Sequence, residues 1–310
     1  MNKILAIAIP TYNRSEILYD NMPSLLLEAK KYSIPIYISD NSMNDQTKNT
    51  IDHYLLDYEN IFYEKNLDDV GHDRNSLSVL RIPQTDYVWL LGDSLKVSEF
   101  AIRDVLDVIN KYTPGLVAVN AVGRELNFNS GNYQSCVDVF SMLGWHLTLT
   151  GAVIYSREAI ESMDYEKILK NNNFPQIPLI FNYLATHKSL YWINNKIIKA
   201  SKKKKGYWAS KALSIFIDDW SNSINNLSSI YPKNVKNKVI LKHSHKTNVF
   251  GFKSLIMLRV AGGFNYRLLR SYGKTLMVHS TLKPMLVVII SVVPIILLKF
   301  LFLIRKILRQ

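Results

Sequence analysis

The sequence predicts an α/β protein built on a doubly wound, mostly parallel sheet, followed by a basic helical C-terminal region and an apolar, membrane-associating tail. Three observations carry this. Short apolar runs alternate with helix-length stretches over residues 1–120, the rhythm of parallel strands joined by crossover helices. The charge then reverses: residues 1–150 hold 19 acids against 12 Lys/Arg, residues 151–310 hold 6 against 26, and no acid follows Asp219. Finally, 284–304 is a run of 21 residues broken only by Ser291, Pro294 and Lys299. The divisions predicted are a first domain over 1–200, a basic, mainly helical region over 201–280, and a membrane-associating segment over 281–310.

Each element has a local reason. Ile4–Ile9 is continuously apolar, as a strand covered on both faces must be. Ser15–Tyr32 follows as a helix, and Pro35 opens a strand over Ile36–Ser39. Asp45 is placed to cap a helix reaching Tyr58. Ile61–Glu64 is a short strand, and His72–Ile82 a helix closed by Pro83. Tyr87–Leu91 is the next strand, Ser98–Tyr112 a helix stopped before Pro114 and Gly115, and Leu116–Asn120 a further strand. Beyond these the rhythm weakens. Gly151–Tyr155 reads as a strand, Ser156–Met163 and Phe174–His187 as helices, Lys202–Lys205 as an exposed charged loop, and Tyr207–Ile230 as helical.

The single cysteine, Cys136, excludes an internal disulfide framework and a cysteine-based metal site. No Gly-x-Gly-x-x-Gly follows the first strand, which argues against a dinucleotide oxidoreductase. The basic half suits a polyanion. It runs into an apolar tail rather than aromatic-basic interleaving, which points to an anionic membrane surface and away from nucleic acid. The 21-residue run is long enough to cross a hydrocarbon core of about 30 Å. Basic clusters flank it on both sides (Arg267, Arg270, Lys274 and Lys283 before; Arg305, Lys306 and Arg309 after), so a single crossing opposes the positive-inside tendency. With Pro294 inside the run, a re-entrant or in-plane anchor fits better. Only six apolar residues follow Lys3 before Pro10, which is no signal peptide. The acidic half is therefore expected to stay in the cytoplasm.

The chemistry is concentrated where strands end. The first strand runs into Pro10, Thr11, Tyr12 and Arg14; the second ends at Asp40 and Asn41; the Tyr87–Leu91 strand ends at Gly92-Asp93. In open α/β sheets ligands sit beyond the carboxyl ends of the strands, so these three tips should face one cleft suited to a base, a ribose and a diphosphate. Taken in order with Asn66, Gly71, Arg74 and Asn75 and with Thr150-Gly151, they resemble the blocks of glycosyltransferase family 2, the inverting GT-A enzymes, over residues 3–190. The Tyr87–Asp93 wording is similar to enzymes of bacterial O-antigen and capsule synthesis, abequosyltransferase-like proteins among them.

That resemblance implies a GT-A fold and a hexosyl-type transferase. The donor would be a nucleoside-diphosphate sugar and the acceptor a saccharide on a polyprenyl diphosphate. Asp40 would accept from the base or the ribose hydroxyls, Thr11 would hold the ribose, and Tyr12 would face the base. Pro10, Arg14 and Asn41 complete the donor loop, and Arg74 would reach a phosphate. Trp145 and His146 offer an aromatic face and a donor to the acceptor sugar. Asp93 would bind a divalent cation, Mg or Mn, on the diphosphate.

Two departures stand out. Ser94, Leu95 and Lys96 replace further acids after Asp93, leaving Lys96 as an alternative cation. Asn173 to Ile177 carries Gln176 where the family places an acidic pair, and glutamine takes no proton. Asp164, Glu166, Asp218 and Asp219 are the remaining downstream acids, and the base is unassigned. His187, and His243 with His245 on one strand face, are further candidates for metal or sugar. The rival reading is a catalytically impaired GT-A scaffold or binding protein at the membrane.

Overall fold

The computed structural model describes residues 2–170, 173–187, 189–201 and 208–299. The chain forms two compact units, one of residues 1–204 with 226–232, the other of 205–225 with 233–310. The expected boundary near 200 therefore lies close to the first division, whereas 280/281 falls inside the second unit.

The first unit is built in chain order from β1 (Leu5–Thr11), α1 (Ser15–Lys31), β2 (Ile36–Asp40), α2 (Gln46–Leu55), β3 (Ile61–Lys65), α3 (His72–Arg81) and β4 (Tyr87–Leu90). It continues through β5 (Leu95–Val97), α4 (Ala101–Tyr112), β6 (Leu116–Val122), β7 (Gly131–Tyr133), α5 (Cys136–Leu143) and β8 (Val153–Ser156). Three helices, α6 (Arg157–Glu161), α7 (Tyr165–Ile168) and α8 (Gln176–His187), precede β9 (Leu190–Ala200). The sheet order is β3-β2-β1-β4-β8-β6-β9-β5, with β7 also on β9.

The sheet is mixed rather than mostly parallel. β3-β2-β1-β4 is parallel throughout, but β8 runs antiparallel between β4 and β6, and β5 and β7 run antiparallel to β9. The strand rhythm of residues 1–120 captured the parallel half, while direction in the other half depends on β8 and β9, which lie outside that rhythm. The apolar run of β1 behaves as expected. It lies between β2 and β4 with Leu5, Ala6, Ile7 and Ala8 wholly buried.

Local expectations fail in informative places. Asp45 precedes α2, but its side chain makes no cap; Asn44 Oδ1 accepts from Gln46 N at 3.0 Å instead, and Asp45 pairs with Lys65 at 2.6 Å. That hydrogen bond to Lys65 holds the Asp45 carboxyl below the usual range. Residues 209–225 are not one regular helix. Ala209–Lys211 forms a 3₁₀ turn and Ser214–Asp219 a π-helical stretch before α9 (Trp220–Asn225). The chain then joins the first unit, where the buried Tyr231 hydroxyl donates to Phe181 O at 2.5 Å. Lys202–Lys205 lies outside the described residues.

The second unit adds α10 (Lys233–Thr247), α11 (Phe252–Val260), α12 (Tyr266–His279) and α13 (Pro284–Val292). Its core joins Leu213, Phe250, Leu255, Phe264 and Leu276 to Val287 and Ile290 of α13. The stretch of the apolar run that forms α13 is thus partly packed into this core. The run stops being helical at Val293, before Pro294, and is helical again over 295–299. Proline cannot continue the ladder and disfavours α geometry in the residue before it. Among the described residues no helix is long and apolar enough to cross a membrane; 300–310 fall outside them.

Gly151 shows how tightly the first unit closes behind its strand ends. Its φ is +109°, and a Cβ there would lie 2.5 Å from Leu95 Cδ1 and 3.3 Å from Leu91 Cδ1. Its carbonyl accepts from the buried Trp89 indole at 2.8 Å. Gly151→Ala should destabilise the unit by about 1–3 kcal/mol, read as a lower thermal midpoint by indole fluorescence. An unchanged midpoint would show that this turn accommodates an L side chain.

Candidate functional site at the strand ends

The ladder register brings the expected tips together. Thr11 pairs with Asp40 and Asp40 with Lys65, while Ala8 pairs with Leu90, so β1, β2, β3 and β4 end side by side. Leu91 N donates to Ala8 O at 2.9 Å, and two residues later Asp93 lies across the end of β1. There Thr11 Oγ1 donates to Asp93 Oδ2 at 3.1 Å and Arg14 Nη1 to Asp93 Oδ1 at 2.9 Å. Asn21 Nδ2, one and a half turns into α1, donates to Asp93 O at 2.8 Å. The Asp93 side chain is 6% exposed and that of Arg14 21%, so the acid is the inner partner and the guanidinium the outer one.

Asp93, expected to bind a divalent cation on the donor diphosphate, does not by itself form a metal site in this structure. A hard divalent cation takes about six oxygen ligands. Here one carboxylate is present, both of its oxygens already accept, and Ser94 is buried beside it. Among the described residues no three His, Cys, Asp or Glu gather to hold a cation. The donor set does not fit a resident metal. Lys96 is turned to α1, where its Nζ donates to Asp20 O at 2.9 Å.

Beside this charged corner lies an amide network. Asn75 accepts at Oδ1 from Ser39 Oγ (2.7 Å) and Asn66 Nδ2 (3.0 Å), and donates to Ser39 O at 3.2 Å. Asn41 accepts from Asn66 Nδ2 and Val70 N, both at 3.0 Å, and donates to Asp69 Oδ1 at 2.5 Å. Gly71, at φ +82°, starts α3 from this loop, a conformation glycine adopts without steric cost. The Asn66…Gly71…Asn75 spacing thus encodes a brace across the ends of β1, β2 and β3. Ser39, Tyr63 and Asp69 were missed by sequence reasoning. Only their polarity beside a strand end could have flagged them.

Asp40 lies under that brace, wholly buried, with Oδ1 accepting from Ser42 N and Oδ2 from the Tyr63 hydroxyl, both at 2.9 Å. Burial, with the bond to Asp40, raises the Tyr63 pKa, so the phenol stays a donor. Pro10 is half-buried in β1, and Tyr12 is 47% exposed just beyond it. Arg74 lies on the exposed side of α3.

The acceptor-side pair is not at a surface. Trp145 is 3% exposed and His146 fully buried, so neither presents a face to a sugar in this conformation. His146 points Nδ1 at Arg124 O (3.1 Å) and Nε2 at Val119 O (2.9 Å), and Arg124 lies over the Trp145 ring. Gln176 Nε2 donates to Thr148 O at 3.1 Å, a structural use of the position where an acid was sought. Asp164 caps α7, Asp218 accepts from Tyr272 in the second unit, and Asp219 belongs to that unit too. His243 and His245 lie on α10, not on a strand. His243 stacks on Phe216, and His245 Nε2 faces Val278 O at 3.0 Å. His187 stacks on Tyr183.

The structure is a mixed α/β sheet with Thr11 and Asp40 at the ends of the parallel strands β1 and β2 and Asp93 just past the end of β4. The family model for glycosyl transferase family 2 matches residues 6–192, and the chain belongs to that family. It is a glycosyltransferase by that membership. Abequosyltransferase RfbV of Salmonella typhimurium is 26% identical over 252 residues, 69% of this chain and 72% of that protein. Among solved structures, Staphylococcus aureus TarS 1-349 in complex with UDP-GlcNAc superposes with a TM-score of 0.55 at 12% identity, covering 89% of this chain and 88% of that one. Mannosyltransferase PcManGT from Pyrobaculum calidifontis, in complex with GDP-Man and Mn²⁺, gives 0.54 at 12% identity, covering 88% and 80%. Both show the fold.

Burial, aided by the Arg124 charge, pushes the His146 pKa down to about 4 against the pull of the two carbonyls. The unfolded ring titrates near 6.5, so the unfolded state binds the proton first. Stability is then full above about pH 6.5 and falls as pH drops toward 4, by up to about 3 kcal/mol from this group. His279, lowered to about 4 mainly by burial, adds in the same window. His146→Gln should flatten part of the fall in a pH series of urea unfolding. An unaltered slope would mean that His146 is charged in the native state.

Proposed function

We propose that the protein is an inverting transferase that moves a sugar from a nucleoside-diphosphate sugar to a saccharide carried on a polyprenyl-diphosphate lipid, in O-antigen or capsule synthesis. The observation that carries this is the convergence of Thr11, Arg14 and Asp93 at the ends of β1 and β4, with Tyr12 exposed beside them. Tyr12 would stack on the base, Thr11 and the loop after β1 would hold the ribose, and Arg14 and Arg74 would face phosphate. Asp40 would meet the nucleoside only if the Tyr63 hydroxyl yields its place. Similarity to an abequosyltransferase supports a surface-polysaccharide role. A divalent cation would enter with the donor rather than wait at Asp93.

Inversion requires the acceptor hydroxyl to attack the anomeric carbon opposite the departing diphosphate while a base takes its proton. Gln176 cannot do this, and Asp164 is committed to a helix cap. The protein would work at the cytoplasmic face of the inner membrane. Support comes from the acid-free stretch after Asp219 and from α13, where Val287 and Ile290 point inward while Met285 (70% exposed) and Val292 (54%) stay in solvent. Such a face, in a stretch of sequence with Lys and Arg but no acids, suits an anionic bilayer surface.

The function is tested with UDP-, GDP-, CDP- and dTDP-sugars, by following nucleotide release with and without a lipid extract. One donor should be consumed, faster with the lipid-linked acceptor. No turnover with any donor, despite nucleotide binding, would favour the impaired scaffold.

Membrane docking has a separate test. The full chain should float with vesicles containing about one-third anionic lipid, and Met285→Glu/Val292→Glu should reduce the floated fraction several-fold while the fold is retained. Equal flotation of both proteins would remove α13 from the contact.

A further inference from the structure

The corner at Asp93 has an arrangement that its expected role does not explain. A carboxylate meant to hold a cation on a diphosphate should keep an oxygen available, yet Asp93 has one oxygen on Thr11 Oγ1 and the other on Arg14 Nη1. Its backbone is fastened as well, by Asn21 from α1. The group that leans outward is the guanidinium, at 21% exposure against 6% for the acid. Arg14 also immediately precedes Ser15, the first residue of the 17-residue α1, whose N-terminal end favours anions.

We infer that Arg14 is the cation that binds the donor's diphosphate, and that Asp93 is a positioning residue that holds Arg14 at the ends of β1 and β4. This rests on the nucleotide-sugar reading above. The physical case is one of competition and reach. A guanidinium carries five N–H groups in a rigid fork, so one edge can stay on a carboxylate while another meets a phosphate. Without a cation between them, a diphosphate brought beside a buried carboxylate is repelled; Arg14 lies where it would screen the two anions. Arg–phosphate contacts are charge-assisted and geometrically specific, and Lys96 is engaged elsewhere, on Asp20 O. The charge relation between Asp93 and the nucleotide is then the reverse of that in a metal site. Asp93 draws on the same guanidinium that the diphosphate needs.

That reversal gives the test. Titration calorimetry on the full chain, in EDTA and then in Mn²⁺, would use UDP, GDP and CDP with the matching nucleosides. In EDTA, Arg14→Gln should weaken the preferred nucleoside diphosphate tenfold or more while changing its nucleoside less than twofold, and Arg14→Lys should recover part of the loss. Asp93→Asn keeps an acceptor for Arg14 but removes the competing charge, so its diphosphate affinity in EDTA should hold or rise several-fold. The inference is overturned if Asp93→Asn loses tenfold or more and wild-type binding needs Mn²⁺, the pattern of a metal ligand. It is equally overturned if Arg14→Gln weakens nucleoside and diphosphate alike, the pattern of a merely structural arginine. Should no nucleotide bind the wild-type chain under either condition, the donor reading itself fails, and this inference with it.

Discussion

The parallel pairing of β1 with β2 on one side and β4 on the other sets the geometry on which the tip depends. Because Thr11 pairs with Asp40 and Ala8 with Leu90, three polar ends project from one edge of a sheet that is apolar along its length. Side chains alternate across a strand, so a one-residue slip would turn Thr11 and Asp40 to opposite faces. Leu5, Ala6, Ile7 and Ala8 are wholly buried, and a strand covered on both faces holds its register through packing on each. The hydrophobic core thus acts on the site by positioning it.

Burying charge at that edge has a cost that its partners offset. Removing the Asp93 carboxylate from water is unfavourable unless its oxygens are paired; Arg14 and Thr11 supply those donors, and Asn21 fastens the backbone carbonyl. The neighbouring amides meet the same demand without charge. Asn75 uses both its donor and its acceptor, linking Ser39, Asn66 and the β2 backbone. In a low-dielectric surrounding such a network is stiff when complete and costly when one member is missing. The edge therefore has a rigid amide half and a charged half whose outer member, Arg14, is the more exposed.

The second unit uses its basic, apolar sequence in two ways. Part of it is core: Val287 and Ile290 pack with Leu255, Phe264 and Leu276, and even Lys236 is buried, its amine donating to Asn225 O at 3.1 Å and its pKa lowered by burial. The remainder stays in solvent, with Met285, Val288 and Val292 along α13. A helix that buries one stripe and exposes another apolar stripe cannot be told by composition from one that is buried all round. Packing against α11 and α12 decides which side is which.

What the sequence by itself determined follows from local physics. A continuous apolar run marks a strand covered on both faces, and a polar residue ending it marks a tip; hence β1, β2 and β4 and the residues Thr11, Asp40 and Asp93 were legible. The Asn66…Gly71…Asn75 segment was legible only through its resemblance to a block of the family, and the hydrogen bonds it makes were not. The rest was decided by tertiary structure. β5 and β7 have three residues each, too few for a period, and β9 meets β6 through register shifts around Asn120 that break alternation. Trp145 and His146 read as an exposed sugar platform until the fold enclosed them. The guanidinium on Asp93 comes from a residue 79 positions away. Periodicity records what each segment must bury, but a charge takes its partner from whichever side chain the completed sheet places beside it, and that is settled only when distant strands pair.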